Sequence, residues 1–151
     1  IQKTVSACEK RFGGKFVFGF RLHEYTENYK SNLQEMPVLS LNDHEDMQEL
    51  IAACDVIITD YSSVVWDAAV AKKPCFLFAP DLHLYDRYRG FFTPIEEWPA
   101  PLAETNDALA ENILRFSEEQ YLADVKQHLA ALGSYETGTG AKQVCAFLSR
   151  R

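Results

Sequence analysis

The sequence predicts an α/β fold, a parallel sheet flanked by helices. Two observations carry that expectation. Short apolar runs bounded by turn residues alternate with stretches of helical period along the first half of the chain. One complete β–turn–α–turn–β unit can be read between positions 55 and 80, DVIITDYSSVVWDAAVAKKPCFLFAP. Strands separated by helices of this length pair in parallel and are covered on both faces.

In chain order, the spacing predicts a helix over 4–12, with Val5, Cys8 and Phe12 on one side and Gly13–Gly14 as its stop. A strand follows over 15–22, and Gly19 inside it points to close approach by other atoms. Positions 24–35 show no clear period and read as a loop. A short strand is expected over 37–41, then a helix over 44–54 with Met47, Leu50, Ile51 and Cys54 as its apolar stripe. Val56, Ile57 and Ile58 form a β-branched run suited to a strand buried on both faces. A helix over 64–72, closed by Lys72, Lys73 and Pro74, leads to the strand 75–78. A short helix or turn is expected over 81–88, a last short strand over 89–93, and a proline-studded connection over 96–102. The remainder reads as helices: 105–116, then 117–132 with Ser117 and Gln120 as a capping box, and 141–151 with Val144 and Leu148 inward.

At 151 residues, 47% hydrophobic and 25% charged, the composition is that of one globular domain. A net charge of −7 argues against a nucleic-acid surface or a general membrane-adhesive one. Cys8, Cys54, Cys75 and Cys145 lack paired spacing and read as reduced core thiols of a cytoplasmic protein. No apolar run approaches the roughly 18–20 residues that span a bilayer. The chain opens on Ile1 as if in the middle of a fold, and we expect a fragment of a longer protein.

The chemistry is expected at the turn after the strand 56–58. A helix that starts directly beyond a parallel strand points unpaired N–H groups at the crevice, where they favour an anion. Ser62 and Ser63 add hydroxyls, while Asp60 reads as a cap or as a partner for a hydroxyl or cation. The same spacing also fits an N-capped helix with no ligand. His23 and Arg21 lie two apart and leave their strand on one side. His23 suits proton transfer or a phosphate contact, or else closes a loop structurally. Arg21 fits a phosphate or an ion pair with Glu24. Arg89–Gly90 would let a guanidinium and unhindered backbone approach a diphosphate, or form a solvated turn. His44, His83 and His128 read as surface or capping residues. Glycine-rich nucleotide loops, zinc-protease and serine-hydrolase motifs are all missing from the sequence.

The run Ile58-Thr59-Asp60-Tyr61-Ser62-Ser63-Val64 is followed by Trp66-Asp67, Lys73-Pro74, Asp81-Leu82, Tyr85 and Arg89-Gly90-Phe91. Together with Arg21-Leu22-His23 upstream, it resembles the donor-binding half of CDP-glycerol glycerophosphotransferases, which polymerise teichoic acids and related capsule polymers. The resemblance implies the C-terminal, Rossmann-like half of a GT-B architecture. It implies CDP-glycerol as donor, transfer of glycerol phosphate to a polymer hydroxyl, release of CMP, and no metal cofactor. By position, Ser62 and Ser63 would bind the diphosphate, Arg21, Arg89 and Gly90 would lie near it, and Asp60 and Asp67 would support them. His23 would be one of two essential histidines, the other belonging to sequence before Ile1. The acceptor polymer would be met through a preceding half at the inner face of the membrane, with any membrane contact made by other parts of the protein. Two other readings are a half that binds a nucleotide sugar and a non-catalytic α/β binding module.

Overall fold

The computed structural model describes residues 1–22, 38–134 and 137–150. Helix α1 (Gln2–Phe12) leads to strand β1 (Gly19–Phe20), and after the undescribed stretch come β2 (Leu39–Ser40) and α2 (Met47–Ala53). The unit read most directly from sequence is β3 (Ile57–Thr59), α3 (Val64–Val70) and β4 (Cys75–Phe78). Then follow α4 (Leu82–Tyr88), a 3-10 turn (Ile95–Glu97), β5 (Leu102–Ala103), α5 (Asn106–Arg115), α6 (Glu118–Ala131) and α7 (Gly140–Leu148). Among the described residues the strand pairs are all parallel: β1 with β2, and β3–β4–β5 in that order. This is the expected α/β fold, with parallel strands in open sheets flanked by helices.

The core gathers on the three-stranded sheet. Ile57 pairs with Cys75 and Leu77 with Leu102. Phe76 and Leu77 are fully buried, and so are Val65 and Ala68 of α3 and Ile113 of α5. Phe116 bridges the layers, with its ring centroid 5.4 Å from Phe76, 5.7 Å from Phe12 and 5.4 Å from Tyr121. Helix α1 lies along α5, tied by the Lys3–Asp107 ion pair and by Arg11 Nε donating to the Phe116 carbonyl at 2.7 Å. The buried positions of α1 are Thr4, Ala7 and Cys8, a stripe rotated slightly from the one expected. Gly13 stops the helix at a positive φ of 77°, a backbone conformation glycine adopts readily. Thr105 and Ser117 cap α5 and α6 through their hydroxyls, but Gln120 turns its side chain to Asp124 instead of completing the capping box.

Four expectations are corrected. Residues 89–93 form no strand; Gly90 turns the chain at φ 68° and Phe92 stands in solvent. The third strand comes instead from the proline-studded segment. The Pro101 carbonyl accepts from Leu77 N and the Ala103 carbonyl from Ala79 N, both at 2.9 Å, and the prolines sit just before the strand, where no N–H is needed. Among the described residues, the strands expected over 15–22 and 37–41 are two residues long each. In α7, Val144 and Leu148 are exposed, because no described element covers that face.

Gly19 does mark a close approach. A Cβ there would stand 2.7 Å from Leu41 Cδ1, so the side chain beyond β2 is what fills the space.

Candidate functional site

Strand β3 delivers the chain to Asp60, and four local hydrogen bonds shape the turn beyond it. Asp60 Oδ1 accepts from Ser62 N at 3.1 Å, and Ser62 Oγ accepts from Val64 N at 3.4 Å. The Ser62 and Ser63 carbonyls take the amides of Val65 and Trp66 at 3.3 and 3.0 Å. The expected row of bare amides is therefore largely satisfied from within. Helix α3 has just seven residues, so its dipole is small. The turn presents hydroxyl groups: Ser62 half-buried and still able to donate, Ser63 exposed with no side-chain capping bond.

Tyr61 fixes the turn against its neighbours. Its hydroxyl donates to Asp81 Oδ1 at 2.7 Å, and its ring stacks on Tyr85 of α4 at 3.8 Å. Phe91 closes the group, 5.8 Å from Tyr61 and 5.3 Å from Tyr85. The tip of β3, the start of α4 and the segment Arg89–Gly90–Phe91 therefore share one aromatic bracket. Burial pushes the Tyr61 phenol well above its ordinary value, aided by the hydrogen bond to Asp81 and the charges of Asp81, Asp60 and Glu104. Those three carboxylates lie just beyond β3, β4 and β5. Two of them are engaged, Asp60 by the Ser62 amide and Asp81 by Tyr61.

The expected site residues fall into three groups. Asp60, Ser62 and Ser63 share the turn around Tyr61, while Arg89 and Gly90 directly precede Phe91 of the bracket, with Arg89 exposed and in no ion pair among the described residues. Arg21, just past β1, donates from Nη2 to the Glu45 carbonyl at 3.3 Å, and no contact among the described residues joins it to the turn. Asp67 is exposed on α3, four residues after Ser63. His23 and Glu24 lie outside the described residues.

Sequence reasoning missed a second polar centre behind α3. Trp66 Nε1 donates to His128 Nε2 at 3.1 Å, and Trp98 packs on Trp66 at 4.7 Å. His128 is 9% exposed, which corrects its reading as a surface residue. The signal was present: Tyr121, Val125 and His128 recur at the four-and-three spacing of one helix face. Among the described residues no cluster of three or more His, Cys, Asp or Glu is placed to hold a metal, and no helix is long and apolar enough to cross a membrane.

A family model for CDP-glycerol:poly(glycerophosphate) glycerophosphotransferases matches residues 3–149. The chain belongs to that family. Among its relatives, a teichoic acid ribitol-phosphate primase of Bacillus spizizenii is 31% identical over 89% of this chain and 34% of its own length. The teichoic acid poly(glycerol phosphate) polymerase of Bacillus subtilis is 35% identical over 74% of this chain and 15% of its own. This member of the family thus spans about a third or less of these relatives. The solved structure of the wall teichoic acid polymerase TagF superposes with a TM-score of 0.73 at 25% identity, covering 99% of this chain and 38% of that one. A variant of TagF soaked with CDPG matches with a TM-score of 0.72, also at 25% identity.

Proposed function

We propose that this glycerophosphotransferase-family chain is the donor-binding, C-terminal half of a GT-B transferase. It holds a CDP-polyol, CDP-glycerol foremost, while polyol phosphate passes to the hydroxyl end of a growing teichoic-acid-type polymer. The observation that carries the reading is the serine pair held at the carboxyl end of β3 by Asp60 and the Tyr61–Asp81 bond. Family membership and the CDPG-soaked relative support the donor. The ribitol-phosphate relative supports a polyol donor class wider than glycerol alone.

In this reading the acceptor oxygen bonds to the phosphorus distal to cytidine. The bond from that phosphorus to the bridging oxygen breaks, and CMP leaves with the electron pair. The acceptor proton passes to His23. Ser62 and Ser63 donate to the diphosphate, and Arg89 offsets the charge growing on CMP and that of the nearby carboxylates. The preceding half supplies the acceptor and the contact with the inner face of the membrane.

Calorimetry with CDP-glycerol tests this. Ser62→Ala together with Ser63→Ala should weaken binding at least about a hundredfold, since each of the two bonds to a charged group contributes roughly 1.5–3 kcal/mol. EDTA should leave the wild-type isotherm unchanged. Unaltered affinity in the double variant would defeat the proposal, and a preference for a UDP-hexose would move the chain to nucleotide-sugar transfer.

A further inference from the structure

Helix α7 stands bare. All nine residues of Gly140–Leu148 are exposed, yet Ala141, Val144, Cys145 and Leu148 recur at the spacing of one packing face, with Phe147 beside them. Val144 is 58% exposed, Phe147 65% and Leu148 59%. An apolar helix face of this kind calls for a partner. The charge of the segment is equally distinct. Residues 137–151 hold Lys142, Arg150 and Arg151 and no carboxylate, in a chain of net charge −7. The acidic excess therefore lies wholly in the rest of the chain.

A matching surface exists at the less covered sheet. A groove of about 450 Å³ runs between α1, the β1–β2 pair, α2 and the start of β3. Val5, Val17, Leu39, Leu41, Leu50 and Ile58 are among the side chains that line it, and its charged ones are Lys15 and Asp55 alone. None of its buried side-chain nitrogens or oxygens is left without a hydrogen bond among the described residues, so nothing in it calls for a polar ligand. The volume suits the side chains of one helix face, since a whole helix is about 10–12 Å across.

We propose that α7 of one copy lays Val144, Phe147 and Leu148 in this groove of a second copy, and that the exchange is reciprocal. Helix-in-groove docking of this type is read from apolar anchors three and four residues apart. One exchange covers both bare surfaces, whereas a bilayer would cover the helix and leave the groove open. A single face of a nine-residue helix is small for a stable interface, and reciprocity doubles it. Reciprocity also closes the pair on a two-fold axis, so assembly stops at two. The cationic segment meets an acidic body, which favours the encounter.

Analytical ultracentrifugation over a range of concentrations tests this. The wild-type chain should form a dimer, increasingly so as concentration rises. Phe147→Glu in the helix and Leu39→Glu in the groove should each raise the dissociation constant at least about a hundredfold, because the dimer carries each buried charge twice. Both positions are exposed in the single chain, so the fold of the monomer is kept. Flotation with vesicles of phosphatidylglycerol and phosphatidylcholine should leave the wild-type chain unbound. The proposal is overturned if the wild type stays monomeric, if it floats with the vesicles through α7, or if Leu39→Glu dimerises like wild type, which would mean that α7 pairs elsewhere.

Discussion

The two sheets use the same parallel pairing and similar residues, yet only one of them is buried. In β4, Cys75, Phe76 and Leu77 are wholly shielded, whereas Leu39 of β2 is 55% exposed and Val17 before β1 is 77% exposed. The difference is cover. Helices α3 and α5 pack on β4, and no described helix does the same for β1 and β2. Apolar character offers a strand to the core, but a neighbouring layer decides whether it becomes buried. The serine turn and the aromatic bracket go with the covered sheet, hanging from its strands and the helix after β4, whereas Arg21 leaves the end of β1 in the other.

The strongest way to break this contrast is Phe76→Ala, which should cost about 3–5 kcal/mol in chemical denaturation. If Leu39→Ala costs as much, the contrast fails. Alkaline titration comes next. Burial pushes the Cys75 thiol from the ordinary 9.0 up to about 12. Below pH 9 the thiol is protonated in both states and stability is intact. Above it the unfolded chain ionises first, so the melting temperature should fall steadily up to about pH 12, a loss of a few kcal/mol. Cys75→Ala should flatten that slope, leaving the part due to Cys8, Cys54, Tyr61 and Tyr121, whose pKa values burial also raises. Trp66→Phe should cost about 1–3 kcal/mol by leaving the buried His128 Nε2 without its donor. Gly19→Ala should cost about 1 kcal/mol, because the Leu41 side chain can swing away. Smallest of all, Val17→Thr should shift stability by less than about 0.5 kcal/mol.

Where local chemistry decides the structure, it was legible in the sequence. The β-branched run 56–58 becomes a strand shifted by one residue, Ile57–Thr59, the helix before Pro74 ends ahead of it, and Ser117 caps α6 where residue type placed it. Strand β5 was hidden because prolines lie at its entrance, and only the acceptor carbonyls of Pro101 and Ala103 make it a strand. Val144 and Leu148 have the right spacing for burial, but spacing says nothing about whether a covering layer exists. At the candidate site, Ser62 and Ser63 were readable from their turn. The Tyr61–Asp81 bond was not, because it joins residues twenty apart and no local periodicity records such a pair. His128 was readable in principle, as a polar residue on an otherwise apolar face.

That phenol–carboxylate bond works as a crossbar between adjoining structural members. It clamps the end of one strand to the root of the helix after the next, and Asp81, so engaged, gives up the capping role its position would allow. The serine turn and the base of that helix are therefore braced on each other through one hydrogen bond rather than through the strand order alone.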